Sequence, residues 1–210
     1  MDKEKFDCEL MSWEYFYDLS KIVAKKIIQS NDLPDVIVGL ARGGWVFARI
    51  LCDFLGVKDL LSLKVEHWGI TAAPDGEAKL KYPIRVNLSN RKTLVVDDIT
   101  DTGESMLKAV EYVRTLKPLE VRSATLMHIK GSKFIPDYFA KEISWRWVIF
   151  PWNFTEDLCN IITKAAQFSD GKIDTASTKD NLMRDFKINA DEGIIKEVFE
   201  ELKRRRSIKQ

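Results

Sequence analysis

Apolar and polar positions alternate between helical and strand periods along most of this chain. An apolar stripe built from Trp13, Phe16, Tyr17, Ile22, Val23, Ala24 and Ile27 predicts a first helix over residues 12–28, with Ser12 as its N-cap. The turn Asn31-Asp32-Leu33-Pro34 then leads into Val36-Ile37-Val38-Gly39-Leu40, a wholly apolar run that suits a strand buried on both faces. A helix over 45–55, closed by Gly56, and a strand over 60–65 follow. Residues 66–83 keep no period and contain Gly69, Pro74, Gly76 and Pro83, which predicts a long loop of the lid type. A short alternating strand is expected at 84–88. Lys92 to Val96 is a second buried strand ending in Asp97-Asp98. A helix over 103–116 and strands over 121–129 and 145–150 complete an alternating α/β pattern with a mostly parallel sheet.

Beyond Pro151 the texture changes to three helices with no strand between them. Thr155 is expected to cap the first, and Asn189 with Glu192 to form a capping box for the last. The expected organisation is a core domain over 1–152 and a helical bundle over 153–210.

Composition narrows the class. The 210 residues (24.2 kDa) are 45% apolar and 31% charged, as in ordinary globular proteins, and no stretch approaches the length of a membrane span. The N-terminus lacks the apolar run of a signal peptide, so a cytoplasmic location is expected. Net charge is 33 − 32 = +1. Residues 153–210 carry 11 basic and 11 acidic side chains, a balance that argues against a DNA reader despite Lys203 and Arg204–Arg206. Cys8, Cys52 and Cys159 are far apart, and only His67 and His128 could join them, so a structural zinc site is not expected.

The chemistry concentrates in Leu94-Val95-Val96-Asp97-Asp98-Ile99-Thr100-Asp101-Thr102-Gly103-Glu104-Ser105. An apolar strand delivers two adjacent carboxylates, and a hydroxyl-rich turn then opens onto a helix. Backbone N–H groups and hydroxyls at such a turn suit a phosphate dianion. Neighbouring carboxylates suit sugar hydroxyls or a hydrated magnesium ion. With no glycine cluster and no Gly-Lys-Ser/Thr, this is neither a dinucleotide fingerprint nor a Walker loop. A plain strand-to-helix turn capped by Thr102 is the bland alternative.

This segment resembles the phosphoribosyl pyrophosphate motif of type I phosphoribosyltransferases, and the resemblance extends over about residues 12–152. It implies a mostly parallel five-stranded core sheet flanked by helices, with the three-helix bundle appended. It also implies that Asp97 and Asp98 hold the ribose hydroxyls, that Ile99, Thr100, Asp101, Thr102, Gly103, Glu104 and Ser105 form the 5-phosphate loop, and that Asp101 faces purine N7 as the catalytic residue. Ala41-Arg42-Gly43-Gly44 matches the family's pyrophosphate loop, with a cis Ala41–Arg42 peptide expected. Lys130 is similar to the lysine that meets the six position of the base in 6-oxopurine enzymes, and Trp147 and Val148 to the stacking and backbone contacts of the base. Magnesium is implied as cofactor, held mainly by substrate with Asp97 and Asp98 assisting. Phosphoribosyl pyrophosphate and a purine are the implied substrates, and a homodimer the implied assembly, with no nucleic-acid or membrane partner.

Among purines, the layout of core plus helical appendage resembles archaeal adenine phosphoribosyltransferases, so adenine is the expected base. Hypoxanthine, guanine or xanthine is the alternative, since an ammonium at Lys130 donates and cannot accept. A pyrimidine enzyme and a ligand-sensing transcriptional regulator are the remaining readings. Two departures stand out. Glu104 places an acid where related loops often carry Gly or Lys, with an outward orientation as the expected remedy. The lid matches poorly, leaving Lys64, His67, Lys79, Lys81 and Tyr82 unranked.

Overall fold

The computed structural model describes residues 5–66, 78–167 and 174–207. In chain order the elements are β1 (Cys8–Leu10), α1 (Trp13–Gln29), β2 (Val36–Ala41), α2 (Gly44–Leu55), β3 (Asp59–Glu66), β4 (Lys79–Tyr82), β5 (Lys92–Thr100), α3 (Glu104–Thr115), β6 (Glu120–Ile129), β7 (Tyr138–Ile143), β8 (Trp147–Ile149), α4 (Phe154–Gln167), α5 (Thr175–Phe186) and α6 (Glu192–Ser207). Packing groups them into two units, Trp13–Trp145 and Met1–Ser12 with Arg146–Gln210. That grouping differs from a division at 152/153: the expected base-binding strand lies with the C-terminal helices.

The larger unit is built on a six-stranded sheet in the order β4-β3-β2-β5-β6-β7. Five strands run parallel, and only β4, at the edge beside β3, is antiparallel. The apolar run of β2 is explained by cover on both faces. Val36, Val38 and Leu40 pack with Leu63, Val95, Met106, Ala109, Val110 and Val113, so this face lies under α3. Positions one step out of phase face α2, where a Cβ on Gly39 would stand 2.8 Å from the Ala48 Cβ. α2 ends at Gly56, whose φ of 68° is the left-handed close expected there.

Three features depart from the pattern. Residues 84–88 form no strand: their alternation places Ile84 and Leu88 against the α3 core, with the Leu88 N–H donating to the Leu116 carbonyl at 3.2 Å. The stretch expected to be loop contains β4. The last parallel strand is β7, not the segment around Trp147. β7 enters through Asp137, whose carboxylate accepts from the Ser123 N–H (2.8 Å) and hydroxyl (2.6 Å).

In the smaller unit, β1 pairs in parallel with β8 in the register Cys8↔Trp147. α4, α5 and α6 each pack on the other two, burying Leu158, Ile161, Ile162, Leu182, Phe186, Ile195 and Val198. The N-terminal segment joins them through Phe6, edge-on to Phe186 at 5.1 Å, and through the Lys5–Asp185 ion pair (2.6 Å). Helix starts differ slightly from expectation. Asp191, not Asn189, accepts from the Ile194 N–H (2.9 Å), and α4 begins one residue before Thr155. No described helix is long and apolar enough to cross a membrane.

Candidate active site

The strand order of the larger unit reverses between β2 and β5. The connection through α2 leads from β2 outward to β3, and the connection through α3 leads from β5 outward to β6 on the opposite side. Where adjacent parallel strands send their connections apart, a crevice opens at their C-terminal ends, and ligands of open α/β sheets bind there. The two motifs singled out by sequence both sit at this point. β2 ends in Ala41 and runs into Arg42, Gly43 and Gly44; β5 ends in Asp97, Asp98, Ile99 and Thr100.

These two segments touch. A Cβ on Gly43 would lie 2.1 Å from Asp98 Oδ2, and one on Gly44 would lie 2.5 Å from the Val96 carbonyl oxygen and 2.7 Å from the Asp97 Cα. Neither position has room for a side chain, so the glycines are required by close approach. The Ala41–Arg42 peptide is cis, as expected. Asp98 is buried and Asp97 half-buried. Asp97 Oδ1 accepts from the Asp98 N–H (3.0 Å), and Asp98 Oδ1 from the Ile99 N–H (2.8 Å). Burial first, and then the Asp98 carboxylate, holds the Asp97 carboxyl well above the ordinary range, against the opposing pull of N–H groups from Asp98 and Gly44. Two carboxyls side by side, one of them reluctant to ionise, form a locus that favours hydroxyl partners or a cation.

The loop beyond β5 turns through Asp101, Thr102 and the left-handed Gly103 (φ 85°) into α3. The N-cap Gly103 has no side chain to cap this helix start, and a long Thr102 hydroxyl contact reaches its first N–H, that of Glu104. The positive end of α3 and its first N–H groups, with Ser105 in the first turn, therefore face the loop, an arrangement suited to an anion. Thr102 is exposed and accepts weakly from the Glu104 N–H (3.4 Å). Thr100 is buried, and its hydroxyl bonds the His128 Nδ1 at 3.0 Å.

A segment that sequence reasoning passed over braces this loop. A Cβ on Gly103 would meet the Phe134 nitrogen and the Ser132 Oγ, each at 2.6 Å. The Lys133 N–H donates to the Thr102 carbonyl (3.0 Å), and the Lys133 Nζ pairs with Glu104 (2.8 Å). Glu104 is thus met by a cation at the solvent-facing side of the loop. Nothing in the local spacing of Gly131-Ser132-Lys133-Phe134 signals this, because the contact exists only once β6 lies beside β5.

Lys130 follows β6 at the same sheet edge, its N–H donating to the Ile143 carbonyl (2.9 Å) and its side chain exposed. Trp147 and Val148 belong to the smaller unit. Val148 is buried opposite Glu9, the Trp147 N–H donates to the Asp7 carbonyl (3.0 Å), and the Trp147 indole nitrogen is buried without a partner. Of the lid residues, His67 lies outside the described residues. Lys64 (2.6 Å) and Lys81 (2.8 Å) both pair with Glu66, lowering its carboxyl below the usual range, with Lys64 the larger cause.

A family model described as phosphoribosyl transferase domain matches residues 9–157. The chain belongs to that family. The match spans β1 to the first turn of α4 and so takes in both loops of the crevice and the strand carrying Trp147. Among curated relatives, the xanthine-guanine phosphoribosyltransferase of Gluconobacter oxydans is 25% identical over 143 residues, covering 68% of this chain and 83% of that protein. The enzyme of the same name from Cereibacter sphaeroides is 27% identical over 151 residues, covering 68% and 85%. Among solved structures, a purine phosphoribosyltransferase from Pyrococcus horikoshii superposes with a TM-score of 0.62 at 28% identity, covering 70% of this chain and 94% of that one. The shared region is the phosphoribosyltransferase core; about a third of the chain lies outside these alignments.

Proposed function

We propose that this chain is a 6-oxopurine phosphoribosyltransferase, transferring phosphoribosyl from phosphoribosyl pyrophosphate to hypoxanthine, guanine or xanthine with release of pyrophosphate. The observation that carries the choice of base is Lys130, a donor without acceptor capacity, at the C-terminal edge of β6 beside the β5 loop. A 6-oxo group accepts from an ammonium, whereas the N6 amino group of adenine offers only another donor. The named relatives favour the same side, and the adenine preference expected from the chain's layout finds no support in them.

The roles follow from what each group can do. The α3 start with Thr102, Gly103 and Ser105 anchors the 5-phosphate through N–H groups and hydroxyls. Asp97 and Asp98 bond the ribose hydroxyls, and the negative charge the pair carries favours the cationic sugar ring that develops as C1 loses pyrophosphate. Arg42, with the N–H groups of Gly43 and Gly44, receives the departing pyrophosphate. Asp101 holds or takes a proton at purine N7 as N9 attacks C1. Lys130 fixes the six position; the stacking and backbone contacts given to Trp147 and Val148 rest on the family resemblance alone. The hard carboxylate oxygens of Asp97 and Asp98 fit magnesium, whose charge would neutralise the leaving group. No cluster of three or more possible ligands occurs among the described residues, so substrate oxygens would complete such a site.

The assay is pyrophosphate release from phosphoribosyl pyrophosphate with each of six nucleobases, beside a gel shift on random DNA. Turnover with a 6-oxopurine and little with adenine is expected. Turnover with adenine alone, or with a pyrimidine alone, would overturn the choice of base, and DNA retention without turnover would favour a regulator.

A further inference from the structure

The contact between Lys133 and Glu104 answers a difficulty that the functional reading creates. The first turn of α3 is where the 5-phosphate would be received, and its first residue is an acid. An arriving dianion meets a carboxylate there, which opposes the attraction of the helix start. Lys133 stands at that acid from the neighbouring connection: its Nζ lies 2.8 Å from Glu104 Oε1, and its own N–H holds the Thr102 carbonyl at 3.0 Å. The backbone bond and the packing of Ser132 and Phe134 against Gly103 fix the segment from which the lysine reaches. The pair is built into the phosphate loop at two points, although neither residue is adjacent in sequence.

The pair is open to water, with the lysine side chain 71% and the glutamate 30% exposed. Exposed ion pairs contribute little to stability. A role in setting the charge that a ligand meets survives exposure better, because it needs only that the lysine stay near the acid. We propose that Lys133 is a positioning residue of the 5-phosphate site: it neutralises Glu104 so that the loop accepts a phosphate dianion. This rests on the phosphoribosyltransferase reading, and its test is placed on binding, apart from turnover.

Losing one positive charge about 7 Å from a dianion in a water-like dielectric weakens its binding roughly 5- to 10-fold. The probe is ribose 5-phosphate, titrated calorimetrically into the full chain and into Lys133→Met, Lys133→Arg, Glu104→Gln and the Glu104→Gln/Lys133→Met pair. Lys133→Met should weaken binding by roughly 5- to 10-fold at low salt, and the loss should shrink near about 1 M salt, where screening is nearly complete. Lys133→Arg should bind like the wild type. The double variant should return to within about twofold of the wild type, because without the acid there is nothing to neutralise. In turnover assays the KM for phosphoribosyl pyrophosphate should follow the same order while the KM for the base and kcat change little. Wild-type affinity in Lys133→Met would overturn the proposal. So would a double variant as weak as Lys133→Met, which would make the lysine a direct phosphate ligand. A wild-type chain that binds neither ribose 5-phosphate nor phosphoribosyl pyrophosphate would instead overturn the functional reading on which the proposal stands.

Discussion

Adding one methyl group at Gly44 tests how tightly the pyrophosphate loop is built against the central strand. In Gly44→Ala the new Cβ would lie 2.5 Å from the Val96 carbonyl oxygen and 2.7 Å from the Asp97 Cα, where ordinary contact begins at 3.4 Å. A gap of 3.4 − 2.5 = 0.9 Å must be made up by moving backbone, since both obstacles are main-chain atoms of β5. β5 is hydrogen-bonded to β2 on one side and β6 on the other, so the start of α2 gives way. Overpacking of this kind costs about 1–3 kcal/mol, or roughly 2–12 °C in Tm for a chain of this size. The functional cost should be larger, because a displacement near 1 Å in a positioning loop can cost on the order of 10²-fold in rate. The control is Gly56→Ala, with nothing within 4 Å of the added methyl but a φ of 68°. Its strain should cost about 1 kcal/mol with turnover unchanged. The assay is thermal melting beside initial rates of pyrophosphate release at varied phosphoribosyl pyrophosphate. Gly44→Ala with wild-type turnover would refute the close approach as a requirement of the site.

Asp97→Asn should reduce turnover by roughly 10²-fold or more while the chain stays folded, because the carboxylate serves ligand. Asp97 titrates above its ordinary value in the folded state, so its contribution to stability is complete below about pH 3.8 and is lost as pH rises through the raised folded value. The ligand-free asparagine variant should therefore gain on the wild type in Tm as pH increases above that point; a difference independent of pH would contradict the assignment. Lys130→Met should raise the KM for a 6-oxopurine and narrow the preference over adenine, with little change for phosphoribosyl pyrophosphate. Trp147→Ala should likewise raise the KM for the base more than that for the sugar substrate, and an equal rise in both would mark the indole as core. Chelation of divalent cations by EDTA should abolish synthesis, with recovery on added magnesium; undiminished activity in chelator would remove the metal from the proposal.

Much of the site is legible in the amino-acid sequence because its parts are local. The strand-to-helix turn from Leu94 to Ser105 needs only an apolar run, two carboxylates, hydroxyls and one glycine at a left-handed position, and all twelve residues are contiguous. Ala41 to Gly44 is legible for the same reason, and the buried strands β2 and β5 betray themselves by the apolar runs Val36–Leu40 and Leu94–Val96. What tertiary structure decided is what depends on partners far away in sequence. β1 is three residues long and exists through pairing with β8, some 139 positions on, which no local period can reveal. β7 has no apolar rhythm and is placed by the parallel ladder from β6, whereas Ile84 to Leu88 has the rhythm but no partner strand. The same logic separates Glu104 from its cation. Sequence exposes the acid at the head of α3, but Lys133 reaches it only because β6 lies beside β5 and brings the two connections together at one sheet edge. Local chemistry is written in adjacent residues; charge balance across a site is set by the order in which strands pair.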